Sequence, residues 1–144
     1  MSDANTATTV PSTAKLARVR QGSIGLIFML VIQFLFGIIF NLYGSIPASG
    51  HSFGLFSNGW LIVHEIMAVA LLGAAGQQVA RAMGTGSGLA RTTSWIGLIG
   101  IVLAIGAGIS FTRNSANSAS LGMAIAFAIA LSCYLISVIR LPAE

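Results

Sequence analysis

Long apolar runs constrain this sequence more than any other feature. Four of them follow one another along the chain, at residues 22–44, 60–80, 94–111 and 121–139. An α-helix rises about 1.5 Å per residue, so about 20 apolar residues cross a hydrocarbon core that is about 30 Å thick. Each run has close to this length and is therefore predicted to be a membrane-spanning helix.

The composition indicates that a bilayer is the solvent of this chain. Hydrophobic residues make up 56% of the 144 residues and charged residues only 7%. A soluble domain carries about 25% charged residues, so this chain has too few to cover a water-facing surface. The excess of basic residues does not indicate nucleic-acid binding, because they form no basic stripe interleaved with aromatic residues.

The sequence divides into a tail, a membrane domain and a short end. Residues 1–21 are predicted to be a cytoplasmic tail with a basic flank, mobile where it carries too few apolar residues to fold. Residues 22–140 form the four-span domain, and residues 141–144 form a short cytoplasmic end. The first run exceeds the roughly 7–15 apolar residues of a secretory signal peptide, which favours an uncleaved span.

The basic residues predict how the spans are oriented. Of the seven basic residues, only Arg113 falls at one end of the spans. The six at the other end are Lys15, Arg18, Arg20, Arg81, Arg91 and Arg140. Because basic residues concentrate on the cytoplasmic side of a membrane, both termini are predicted to be cytoplasmic. The predicted fold class is an all-α, integral membrane, antiparallel four-helix bundle.

Stripes of small residues predict where the spans pack. In lipid, small side chains let helix backbones approach closely. Small residues recur at intervals of four in two spans, at Gly100, Ala104 and Gly108, and at Ser118, Gly122, Ala126 and Ala130. In the second span, Ala68 and Gly76 lie on one stripe with the larger Leu72 between them. The stripes favour contacts within one bundle and leave open a homo-oligomer or another membrane-complex partner.

Polar side chains converge near the outer ends of the spans and are the main functional signal. His64 and Glu65 lie about one turn inside the second span. An ionisable group at that depth is costly unless it is paired or reaches water. The other members of this predicted polar layer are Asn41, Tyr43, His51, Arg113, Asn114 and Asn117.

One interpretation of the polar layer requires no ligand. Glu65 pairs with Arg113 across the outer end of the helices, and His64 bonds to a carbonyl or to Asn41. The asparagines then cap helices and bridge loops. The chain is in that case a non-enzymatic accessory or structural membrane component, with the lipid bilayer as its main partner.

The alternatives make the same layer a ligand site. His51 and His64 have the ligand type of a six-coordinate haem b, and the layer also has the chemistry to bind a quinone or a lipid headgroup. A metal site of His51, His64 and Glu65 would be one ligand short of structural four-coordination. Transport of a small solute by an oligomer is a weaker alternative.

No catalytic residues are predicted. The segment His64-Glu65-Ile66-Met67-Ala68 begins like a zinc-protease helix, but Ala68 stands where the second histidine would be needed. The only aspartate, Asp3, lies in the tail, so no Ser/His/Asp set is supported either.

The stretch from Gln33 to Pro47 resembles the Q-F-x-x-G-x-x-x-N-L-Y-x-x-I-P signature of small four-span membrane proteins of Gram-positive bacteria, actinobacteria especially. His64 followed by Leu71-Leu72-Gly73-Ala74, the turn near Arg113-Asn114 and the stretch 118–134 are similar to that group too. The resemblance implies a bacterial cytoplasmic (inner) membrane location, the four-span topology and the outer polar layer. It implies no reaction.

Overall fold

Four long helices make up nearly all of the described structure. The computed structural model describes residues 13–44, 46–48, 50–55 and 59–143. These residues form α1 (Thr13–Tyr43), α2 (Gly59–Met83), α3 (Gly88–Asn114) and α4 (Asn117–Arg140), and no strand occurs among them. All four helices are long and apolar enough to cross a membrane. The prediction of an all-α chain with four apolar helices is confirmed.

The helices are longer than the predicted spans. Hydropathy marks only the apolar part of a helix, whereas backbone hydrogen bonding continues through its polar turns. Thus α1 begins at Thr13, so that residues 13–21 of the predicted tail are its first turns, and α3 begins at Gly88 rather than at residue 94. The rest of the predicted tail, residues 1–12, and Glu144 of the short end lie outside the described residues.

Local capping and turn signals end α2 and start α3. Gly86 adopts a positive φ of 72° between the two helices, a conformation that glycine tolerates without a Cβ clash. The Ser87 side chain then accepts a hydrogen bond from the Ala90 backbone N–H at 3.3 Å, which caps α3. These signals reverse the chain within a few residues.

Each helix packs against the next helix in the sequence. The main contacts join α1 with α2, α2 with α3, α3 with α4, and α1 with α4. In the first pair, Gln78 near the end of α2 bonds to Val19 near the start of α1. In the third pair, Gly97 of α3 lies against Tyr134 of α4, while Gly108 lies against Met123.

The apolar core lies where the four helices meet. Its buried members are Leu26, Leu30, Leu71, Ala75, Ile101, Ala130 and Tyr134. Many large apolar side chains point away from this core, among them Val69, which is 71% exposed, and Phe28, which is 67% exposed. Apolar residues on the outside as well as the inside are what a lipid environment allows.

The two ends of the helices differ in composition. We call the end with the six basic residues named above the basic end, and the opposite end the loop end. At the loop end, residues 50–53 lie against the last turn of α3. Gly50 N–H donates to Asn114 O at 2.7 Å, and Phe53 N–H donates to Thr112 O at 2.9 Å. The Phe53 ring packs against Phe40 and Phe111, with centroids 5.8 Å away in each case.

Candidate functional site

The structure divides the predicted polar layer into an exposed group and a half-buried pair. The exposed members lie at the loop end and are Asn41, Tyr43, His51, Arg113, Asn114 and Asn117. His64 and Glu65 are half-buried in α2. The predicted residues therefore do not form one continuous cluster.

Contacts between helices show that His64 and Glu65 lie farther from the loop end than the exposed group does. Gly37 of α1 contacts His64, and one turn before it Phe34 stacks on Phe127 of α4 at a centroid distance of 4.7 Å. One turn before Phe127, Met123 contacts Gly108 of α3. His64 and Gly108 therefore lie at similar depths.

Arg113 lies nearer the loop end than Glu65 does. It follows Gly108 by five residues, which corresponds to about 8 Å along the helix axis. Its side chain is exposed, whereas Glu65 is half-buried. A pair between Glu65 and Arg113 would require both side chains to extend along the helices, and it stays a prediction.

Two residues of α1 hold His64 in place. The Gln33 side-chain Nε2 donates a hydrogen bond to the His64 backbone oxygen at 2.9 Å. Gly37 lies four residues further along α1, on the same face of the helix. A Cβ at Gly37 would lie 3.3 Å from His64 Cε1, so the missing side chain gives the imidazole room. Toward the loop end, a glutamine and a glycine of α1 thus form the contact with α2.

Several polar atoms of this contact are shielded from solvent. Gln33 Oε1 and His64 Nδ1 have no hydrogen-bond partner among the described residues. Both carboxylate oxygens of Glu65 are also shielded. We call Gln33, Gly37, His64 and Glu65 the buried polar group. It contains an amide oxygen and an imidazole nitrogen that retain hydrogen-bonding capacity.

The backbone of His51 is bonded at the loop end of the structure. The His51 backbone N–H donates to Ala48 O at 3.1 Å, and its carbonyl accepts from Ser115 Oγ at 2.8 Å. These bonds place His51 over the end of α3, while His64 packs against α1. Among the described residues, no group of three or more His, Cys, Asp or Glu side chains is placed to hold a metal ion.

Sequence reasoning did not identify the partners of His64. Gln33 stands out only as a polar residue inside an apolar run, and Gly37 as one glycine among 17. Their four-residue spacing was the available signal, since it places both on one face of a helix. That signal does not say which helix the face contacts.

A second buried polar contact lies near the basic end, between α1 and α2. Gln78, which is 1% exposed, donates from Nε2 to Val19 O at 2.6 Å and to Ser23 Oγ at 2.9 Å. Ser23 is itself fully buried and donates to Val19 O at 3.0 Å. Gly22 lies beside the Gln78 side chain, and a Cβ there would collide with it.

Two further polar contacts join other helix pairs near the basic end. Thr93 Oγ1 of α3 and Ser137 Oγ of α4 lie 2.6 Å apart, and both residues are buried. Arg20 of α1 donates from Nε to the Val138 carbonyl of α4 at 3.0 Å. Together with the Gln78 contact, these bonds connect three of the four packed helix pairs.

Comparisons with protein-family models, with curated proteins and with solved structures find no match for this chain. The features that bear on function are the apolar helices, the buried polar group and the charge at the two ends.

Proposed function

We propose that the chain is a non-enzymatic, multi-pass membrane protein that serves as an accessory or structural component. Its four helices form an antiparallel bundle with both termini in the cytoplasm. The observation that carries the proposal is the hydrogen bond from Gln33 to the His64 carbonyl. This bond joins α1 and α2 at His64, which is the role expected of a structural contact in lipid.

The structural role of this contact is tested by Gln33→Leu. The substitution keeps the size of the side chain and removes the donor, so it should lower the free energy of unfolding in detergent by about 0.6 kcal/mol. Gln77→Leu is the matched control, because Gln77 is exposed on α2. If both variants unfold like the unmodified protein, the contact is not structural.

The orientation follows from the six basic residues at one end of the helices. A reporter fused after Glu144 should be active only as a cytoplasmic fusion. In a Cys133→Ala background, His51→Cys should react with a membrane-impermeant maleimide added from outside. Labelling that requires permeabilised cells would reverse the proposed orientation.

A ligand-binding membrane subunit is the second candidate. It is favoured by Gln33 Oε1 and His64 Nδ1, which are shielded from solvent and have no described partner. Gln33 Oε1 would accept a hydrogen bond from a quinol hydroxyl, and His64 Nδ1, when it carries a proton, would donate one to a quinone carbonyl. Haem b would need the side chains of both His51 and His64 as its axial ligands.

Spectra and extraction separate the two candidates. A Soret band in the purified protein that disappears in His64→Ala would support haem. A quinone that is extracted from the unmodified protein and not from His64→Ala would support quinone binding. A colourless protein that yields no quinone and rebinds neither group contradicts the second candidate.

A further inference from the structure

A groove lies at the basic end, between the end of α2 and the start of α3. Its volume is about 470 Å³, and it is lined by Met83, Gly88, Arg91, Thr92, Trp95 and Ile96. Sites for small organic ligands have volumes of about 300–1,000 Å³. The groove is therefore large enough for a lipid headgroup and the first part of its acyl chains.

The lining of the groove changes from polar to apolar along α3. Arg91 and Thr92 are exposed in the first turns of the helix. Trp95, which is 47% exposed, and Ile96, which is 42% exposed, follow one turn deeper, at about 6 Å along the axis. Tryptophan prefers the boundary between headgroups and hydrocarbon. A phospholipid presents its own charged and apolar parts in the same order.

Charge at this end favours an anion. The six basic residues of the basic end face no acidic residue of the described chain there, because Glu65, the one acidic residue described, lies toward the loop end of α2. The first turn of α3 also contains no acidic residue. The positive end of the α3 dipole adds to the attraction for a negative group.

We propose that this groove binds an anionic glycerophospholipid. Its phosphate contacts Arg91 and Thr92, and its acyl chains run along Trp95 and Ile96. The phosphate supplies the counter-charge for Arg91, and the acyl chains cover the apolar wall. This inference goes beyond the proposed function and holds for either orientation of the helices, since the groove lies at headgroup level in both.

The two tryptophans of the chain make the site measurable by fluorescence. Trp60→Phe leaves Trp95 as the only tryptophan in the full-length protein. The protein is placed in phosphatidylcholine vesicles that contain a minor fraction of brominated phosphatidylglycerol or of brominated phosphatidylcholine. Quenching by the anionic lipid should correspond to about a fivefold enrichment beside Trp95. The zwitterionic lipid should show none.

Variants of one arginine at each end locate the effect. In the Trp60→Phe background, Arg91→Gln should remove the enrichment and Arg91→Lys should keep most of it. Arg113→Gln makes the same charge change at the loop end and should leave the enrichment intact. The converse protein, with Trp95→Phe and Trp60 retained, should show no preference. Circular dichroism establishes that each variant keeps its helices, as expected for exposed side chains.

Three results would overturn the inference. Equal quenching by the two lipids means that the groove does not select an anionic headgroup. An enrichment that persists undiminished in Arg91→Gln means that the general positive charge of the basic end is responsible. Quenching of Trp95 by neither lipid means that protein, and not lipid, covers the groove.

Discussion

The basic end and the loop end hold their polar residues in opposite ways. Near the basic end, Gln78, Thr93 and Ser137 are buried and bonded between helices. At the loop end, the predicted polar residues are exposed, and the buried polar group retains two atoms without a described partner. The basic end therefore has more interhelical side-chain hydrogen bonds than the loop end. Gln78 Oε1 and Ser94 Oγ near the basic end also have no hydrogen-bond partner among the described residues.

The difference indicates which half should open first. Within lipid there is little hydrophobic drive between helices, so close packing and interhelical hydrogen bonds carry the stability. The loop end has the packing of Phe53 with Phe40 and Phe111, and its hydrogen bonds to the end of α3 come from a connecting segment rather than from a facing helix. We expect hydrogen exchange to be faster in the turns of α1 and α2 nearest the loop end than near Gln78.

The largest effect should come from the close approach of α3 and α4 at Gly97. A Cβ there would lie 2.5 Å from Tyr134 Cζ, and Tyr134 is fully buried. Gly97→Ala must move the ring or separate the helices, which should lower the free energy of unfolding by about 3 kcal/mol. Gly106→Ala is the control, since nothing lies within 4 Å of a Cβ there. Equal unfolding of the two variants in detergent would contradict this packing.

Gln78→Leu should have the next largest effect. The substitution removes the donor to Val19 O and Ser23 Oγ at a buried site, and we expect a loss of about 1 kcal/mol. Gln77→Leu is the matched control, because the Gln77 side chain, next to Gln78 in the sequence, is exposed. A similar loss in both would mean that the basic end is not fixed by this bond, and the contrast between the two ends would fail.

The sequence predicts the helices far better than their contacts. The number and order of helices follow from apolar runs, because only a helix satisfies the backbone of a single segment in lipid. Which face of each helix points inward does not follow from hydropathy, since lipid-facing and core-facing side chains are both apolar. Gln78 and Gln77 differ by one position, yet only Gln78 is buried.

Small residues show the same limit. Gly100 lies where a Cβ would be 3.2 Å from the Ala130 Cβ, so the predicted stripes of the third and fourth spans meet. Gly76, in the stripe of the second span, is exposed, and a Cβ added there would have no other atom within 4 Å. Spacing therefore identifies a surface suited to close packing, but the rotation of each helix decides whether another helix of this chain occupies it.

A smaller effect is expected from the bond between Thr93 and Ser137. In a double-mutant cycle with Thr93→Val and Ser137→Ala, the coupling free energy should be about 0.6 kcal/mol in favour of the native pair. The control cycle combines Thr92→Val with Ser132→Ala. Thr92 precedes Thr93 in α3, and both Thr92 and Ser132 are exposed, so this cycle should show no coupling. Additive losses in the first cycle would mean that the bond between Thr93 and Ser137 does not stabilise the basic end.

The smallest loss of stability should come from Gly37→Ala. It is the same type of substitution as Gly97→Ala, but it lies toward the loop end rather than the basic end. A Cβ there would lie 3.3 Å from His64 Cε1, so the half-buried imidazole must shift by only a few tenths of an ångström. We expect a loss of about 0.5 kcal/mol in the free energy of unfolding. Gly25→Ala, on the same helix with nothing within 4 Å, should cost nothing.

Comparing Gly37→Ala with Gly97→Ala decides how the two halves differ. If both cost the same, the buried polar group is as tightly packed as the contact beside Tyr134, and the structural role of His64 is strengthened. If Gly37→Ala costs much less, the imidazole has room to move. Room at His64, next to an amide oxygen and an imidazole nitrogen without described partners, is what a polar ligand would need.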